Sequence, residues 1–161
     1  MLVAACGGSG NSFTPGAPSG PSIPSIGGVY ASSSMWHFDR TRVSDNQFFP
    51  LTCAGSLTVR NQTGNTFSGS FLIQDDSCGQ VPGSVDGGTL AADGSVSFAL
   101  GYTGGSNQNF ILAAFGCTYV SGDTRLTGSI HGAQLDASST TLMDCPNDGR
   151  VSLNIRASGS R

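Results

Sequence analysis

Charge is what this sequence has least of. Asp, Glu, Lys and Arg make up 11% of its 161 residues, against about 25% in an average soluble protein. The formal net charge is −3 and no basic stripe is present, which excludes the electrostatic footprint of a nucleic-acid-binding protein. No apolar run reaches the ~20 residues that a membrane-spanning helix needs. No segment repeats apolar residues at helical spacing over three turns. Histidine occurs twice and no two cysteines are separated by two residues, so the usual zinc spacings are missing. A phosphate loop, a dinucleotide fingerprint and a Gly-x-Ser-x-Gly nucleophile elbow are missing too. No cofactor and no metal are expected.

What the chain does have is glycine, 24 residues of it, with Ser and Thr interleaved in short alternating runs. Residues 53–100 show the pattern best. Leu57 and Val59 alternate with polar residues, as do Phe67, Phe71 and Ile73, and then Val96, Phe98 and Leu100. Turn residues at 62–65, 75–80 and 91–94 separate these runs. That is the pattern of an antiparallel meander. A first strand is expected over 28–38, with Tyr30, Trp36 and Phe38 on one face. A long connection follows over 39–52 and contains Phe48 and Phe49. Further strands are expected over 83–90, bulged at Gly87-Gly88, and over 110–120, 125–135, 140–143 and 150–157. Gly69 lies between Phe67 and Phe71, and Gly128 lies likewise between Leu126 and Ile130. Glycine at such inward positions points to tightly coiled strands.

The expected fold is therefore all-β, an antiparallel up-and-down meander closing into an eight- to nine-stranded barrel. Closure removes both sheet edges, and the chain is expected to be a monomer. A two-sheet sandwich is the alternative, and it would need longer crossing connections. Residues 1–27 are expected as a tether, 28–157 as the barrel and 158–161 as a tail.

The cysteines number five, and four of them, Cys53, Cys78, Cys117 and Cys145, lie within the β-rich region. In a low-charge, Gly-rich chain this points to two disulfides and an oxidising compartment. Let the first strand run upward. The links 39–52, 75–80, 101–109 and 136–139 then fall at the top, and 62–65, 91–94, 121–124 and 145–149 at the bottom. Cys53 and Cys78 meet at the top, Cys117 and Cys145 toward the bottom, and other pairings would cross the barrel.

Cys6 stands apart. Val3-Ala4-Ala5-Cys6 resembles the lipobox of bacterial lipoproteins. The resemblance implies a diacylated Cys6, membrane attachment through that lipid, and a place outside the cytoplasm in the bacterial cell envelope. The Gly/Ser/Pro tract behind it suits a flexible tether. The β-region in turn is similar to the lipocalin-like small barrels of bacterial lipoproteins. The residues that carry this are Gly28-Val29-Tyr30, Cys53 before Gly55-Ser56-Leu57-Thr58-Val59, Phe67-Ser68-Gly69-Ser70-Phe71, Asp76-Ser77-Cys78-Gly79 and Gly83-Ser84-Val85-Asp86-Gly87-Gly88. The resemblance implies a closed meander whose interior binds a small apolar molecule.

A non-enzymatic function is expected. The ligand or partner surface is expected at the loop-rich top, near Trp36, Phe38, Phe48, Phe49 and Tyr102, with Asp75 and Asp76 on the rim. The alternative is a protein-binding module, such as a barrel-type protease inhibitor or an envelope scaffold, using the Phe48-Phe49 loop. His131 with Asp136, and His37 with Asp39, are compatible with hydrogen-bonded pairs and nothing more specific. Residues 144–149 are rich in oxygen but lack calcium-loop spacing.

Overall fold

The computed structural model describes residues 22–101, 115–123 and 125–161. Ten strands follow in chain order: β1 Gly28–Arg42, β2 Phe48–Phe49, β3 Thr52–Thr63, β4 Thr66–Asp75, β5 Gly79–Leu90, β6 Ser95–Gly101, β7 Thr118–Gly122, β8 Leu126–His131, β9 Gln134–Cys145 and β10 Gly149–Ser160. The order β1-β3-β4-β5-β6-β8-β9-β10 returns to β1, and every pairing is antiparallel, so eight strands close into a barrel. The sandwich alternative falls away. Two short strands lie off this path: β2 extends the wall beside β1, and β7 pairs with β9.

The period-two alternation that marked the strands also fills the core. Phe67, Phe71, Phe98, Leu57, Leu100 and Leu153 are buried, with Tyr30 and Trp36 among the largest enclosed side chains. Each such aromatic or Leu contributes about 1.5–3 kcal/mol relative to exposure. Close backbone approach explains the two inward glycines. A Cβ at Gly69 would overlap the Thr58 carbonyl, and one at Gly128 would overlap that of Asp136. The expected bulge at Gly87-Gly88 is present as register shifts on both sides of β5.

The second half differs from expectation in direction. Residues 118–122 and 126–131 are not two antiparallel strands. Both lie antiparallel to β9, along the same edge of it, so they form one interrupted stave. The reversal comes at 132–133, with Gly132 at φ 59°, and β9 then runs unbroken for 12 residues. The alternation of β9 is masked in the sequence because its inward residues include Ser139 and Thr141, both buried. Residues 102–114, which include Tyr102 and the start of the expected 110–120 strand, lie outside the described residues, as does Cys6.

Counting staves from β1 gives the barrel a base and a mouth. The base holds the turns at 64–65, 91–94 and 132–133 together with the start of β1 and the end of β10. The mouth holds the links at 43–51, 76–78 and 146–148. Residues 145–149 thus lie at the mouth, not at the bottom as expected. Both disulfides form with the expected partners, Cys53–Cys78 and Cys117–Cys145. The location expected for the second is overturned: Cys117 precedes β7 and Cys145 ends β9, so both staples sit at the mouth.

The base is sealed by segments expected to be tether and tail. Ile26 is buried, its N–H donates to Gln62 Oε1 at 2.9 Å, and Tyr30 Oη donates to the Ile26 carbonyl at 3.0 Å. Residues 158–160 are strand, not tail. Arg161 donates to the Gly27 and Ser25 carbonyls and lies 5.7 Å from the Tyr30 ring centre.

Candidate functional site

The mouth is built from the inward-facing residues of β1, taken two at a time. Trp36, Phe38, Arg40 and Arg42 share one parity, since β1 runs four residues beyond the expected end at Phe38. Trp36 forms the floor. It is fully buried, its Nε1 donates to the Leu72 carbonyl at 3.2 Å, and its ring packs 5.4 Å from Phe71 and stacks 6.5 Å from Phe38. Phe38 is the next layer up, with Phe115 edge-on at 5.5 Å.

Above Phe38 opens a cavity of about 290 Å³. Phe38, Leu51, Ile73, Val81 and Phe115 supply its apolar wall, and the Cys53–Cys78 bridge forms one side. Ser77 and Arg40 add the polar groups. The cavity sits at the small end of ligand sites, which run from about 300 to 1,000 Å³. Each staple positions part of this wall. Cys53–Cys78 ties the start of β3 to the turn after β4. Cys117–Cys145 holds the chain two residues from Phe115.

The long connection expected over 39–52 is in part a continuation of the wall. Residues 43–47 make the turn, Phe38 and Leu51 exchange backbone hydrogen bonds at 2.8 and 3.2 Å, and Phe48 and Phe49 lie opposite Thr41 and Arg40. Adjacent residues on a strand face opposite ways, which separates the two phenylalanines. Phe49 covers the inner arginines, its ring centre 5.8 Å from Arg40 Cζ and 5.3 Å from Arg42 Cζ, a cation–π arrangement. Phe48 is turned outward and is 56% exposed.

Arg40 and Arg42 are held differently. Arg42 donates to Asp148 at 2.8 Å and to Asp45 at 3.1 Å, and the Asp148 hydrogen bond leads the causes that push its pKa up. The Nε of both arginines is buried without a hydrogen-bond partner, but among the described residues the Arg40 guanidinium has no ion pair comparable to those of Arg42. A buried donor left unpaired costs about 1–3 kcal/mol, more when charged. The rim carboxylates do not reach it. Asp75 accepts the Ser77 N–H at 2.9 Å and the Ala54 N–H at 3.3 Å, and these hydrogen bonds hold its carboxyl below the ordinary value. Asp76 lines a separate outer groove with Gln80. His37 Nδ1 is 3.2 Å from Thr52 Oγ1.

Of the residues expected at this site, Phe38 lines the cavity, Trp36 lies beneath it as core, Phe49 shields the arginines and Phe48 faces solvent. Arg40, Leu51, Ile73, Val81 and Phe115 went unrecognised in the sequence. For Arg40 the signal was available, because it continues the parity of Trp36 and Phe38. The others converge from separate strands and carry no shared local pattern. In comparisons with protein-family models, with curated proteins and with solved structures, the chain has no match.

Proposed function

We propose that this chain is a non-enzymatic, extracytoplasmic β-barrel that binds a small ligand with a hydrophobic body at its stapled mouth. The observation that carries this reading is the cavity above Phe38, walled by Phe38, Leu51, Ile73, Val81 and Phe115 with Arg40 and Ser77 beside them, placed where the links between strands cluster. Two disulfides support an oxidising compartment. Lipidation at Cys6 fits the same reading. The chain enters at the base, so a barrel anchored through Cys6 would turn its mouth away from the membrane. The likeness to lipocalin-like barrels belongs here as a proposal too, resting on the pattern of the strands.

The test is binding of an environment-sensitive apolar dye such as N-phenyl-1-naphthylamine to the full chain. Fluorescence enhancement in the wild type, lost in a cavity-filling Val81→Trp variant that keeps its β circular dichroism, is the expected result. No enhancement in the wild type, and no bound small molecule in native mass spectrometry of the exported protein, would sink the reading. Mass analysis of the N-terminus tests the lipid on Cys6.

A second reading, recognition of a protein by the mouth end, is favoured by one observation: Phe48 stands exposed beside the rim. Loss of partner capture on Phe48→Ser, with dye binding intact, would support it over the first.

A further inference from the structure

We propose that the mouth cavity takes an apolar monocarboxylate of about ten non-hydrogen atoms, with Arg40 anchoring the anionic group. This rests on the ligand-binding reading above and names the chemical class of the ligand. Arg40 is the one charged side chain among the described residues that line the cavity. Four other arginines are committed to internal partners: Arg42 to Asp45 and Asp148, Arg150 to Asp144, Arg156 to Asp136, and Arg125 to Ser97 and Gly87. Arg40 lies under the Phe49 ring and, unlike Arg42, forms no ion pair among the described residues. A guanidinium beside apolar walls, with no carboxylate in ion-pair distance among the described residues, complements an anion. It repels a cation of the same shape.

The register adds unpaired groups. Arg40 lies opposite Leu153, and Leu153 opposite Thr141. Directly opposed residues share a face, so all three point inward in one row. Thr141 Oγ1 is buried without a partner. The inner wall of this half of the barrel therefore carries four buried polar groups without partners, Arg40 Nε, Arg42 Nε, Ser139 Oγ and Thr141 Oγ1.

Size sets the rest. A cavity of about 290 Å³ lies at the lower bound of small-molecule sites, which suits a ligand of about ten non-hydrogen atoms. Octanoate has that size. Its chain would lie against Phe38, Ile73 and Val81, and its carboxylate would meet Arg40.

The experiment is calorimetric titration of the full chain, disulfides formed, with octanoate, 1-octanol and octylammonium at neutral pH. Octanoate is expected to bind tightest and octylammonium weakest. Arg40→Gln is expected to weaken octanoate by about tenfold to a hundredfold, the range for a hydrogen bond to a charged group, while octanol changes by less than about twofold. The affinity of the wild type for octanoate, but not octanol, is expected to fall as pH drops through the ligand's own carboxyl range, roughly pH 4–5. That arm stands even if Arg40→Gln does not fold. Equal binding of octanoate and octanol, unmoved by pH or by Arg40→Gln, overturns the anion assignment and leaves the ligand-binding reading intact. No binding of any of the three, with no dye binding either, overturns both.

Discussion

The two ends of the barrel are closed by different physics. At the base, side chains and carbonyls complete one another: Ile26 fills the core, Tyr30 and Gln62 satisfy the chain that enters, and Arg161 ties itself to the segment just before the first strand. At the mouth, covalent bridges do the bracing, a cavity of mixed lining is left open, and the inward Arg40 has no ion pair among the described residues. The contrast shows where this small domain tolerates incomplete packing. The staples hold the wall where the side chains do not fill it.

Removing a staple should have the largest effect. Each closes a loop, of 25 residues for Cys53–Cys78 and 28 for Cys117–Cys145, for which loop entropy gives about 3.5 kcal/mol of stabilisation. Urea unfolding of Cys53→Ala/Cys78→Ala should show a loss of that order, with dye binding at the mouth weakened. Unchanged stability would mean that the mouth packs well without its bridge.

Next come apolar truncations at the two ends. Ile26→Ala at the filled base should cost about 2–5 kcal/mol, the range for a packed aliphatic residue. Val81→Ala borders existing space and should cost about 1 kcal/mol or less. Equal costs would erase the distinction between the ends.

The pH dependence separates them on one side only. Burial raises the Tyr30 phenol above its ordinary value, with Arg161 opposing. Its stabilising effect is complete below about pH 10 and is lost as pH rises through the raised value. The melting temperature should therefore drop in alkali, and this drop should shrink in Tyr30→Phe. On the acid side both ends contribute. Asp75 and Asp144 at the mouth are lowered mainly by hydrogen bonds from Ser77 and Arg150, and Asp93 at the base by those from Ser95. Their contribution is present above about pH 4 and is lost as pH falls through the lowered values. Asp75→Asn should remove part of the acid response and none of the alkaline one.

The smallest effect is expected for Phe48→Ser. The ring is exposed, so stability should change by less than about 0.5 kcal/mol. A larger loss in thermal denaturation would mean that Phe48 packs against the rim.

Strands whose inward residues are large and apolar were readable from the sequence. Phe67, Phe71 and Ile73 mark β4, Val96, Phe98 and Leu100 mark β6, and Val151, Leu153 and Ile155 mark β10. β9 was not, because Ser139 and Thr141 occupy inward positions and break the apolar alternation. Reading one interrupted stave as two strands reversed every direction after it. That moved Cys145 from the mouth to the base, and the expected 110–120 strand put Cys117 there too, near its far end, whereas β7 begins only at Thr118. At the site, parity identified Phe38, and ending β1 at Phe38 hid Arg40.

The amino-acid sequence by itself determined the all-β class, the inward residues of most staves and the glycines where strands come close. These follow from the period of two and from turn residues, which are local properties of the chain. Only the tertiary structure decided that both staples share one end, that 24–27 and 158–161 seal the other, and that Arg40 faces a cavity. Those facts depend on how many reversals precede a residue and on which side chains distant strands bring to the same height. No local pattern encodes either quantity.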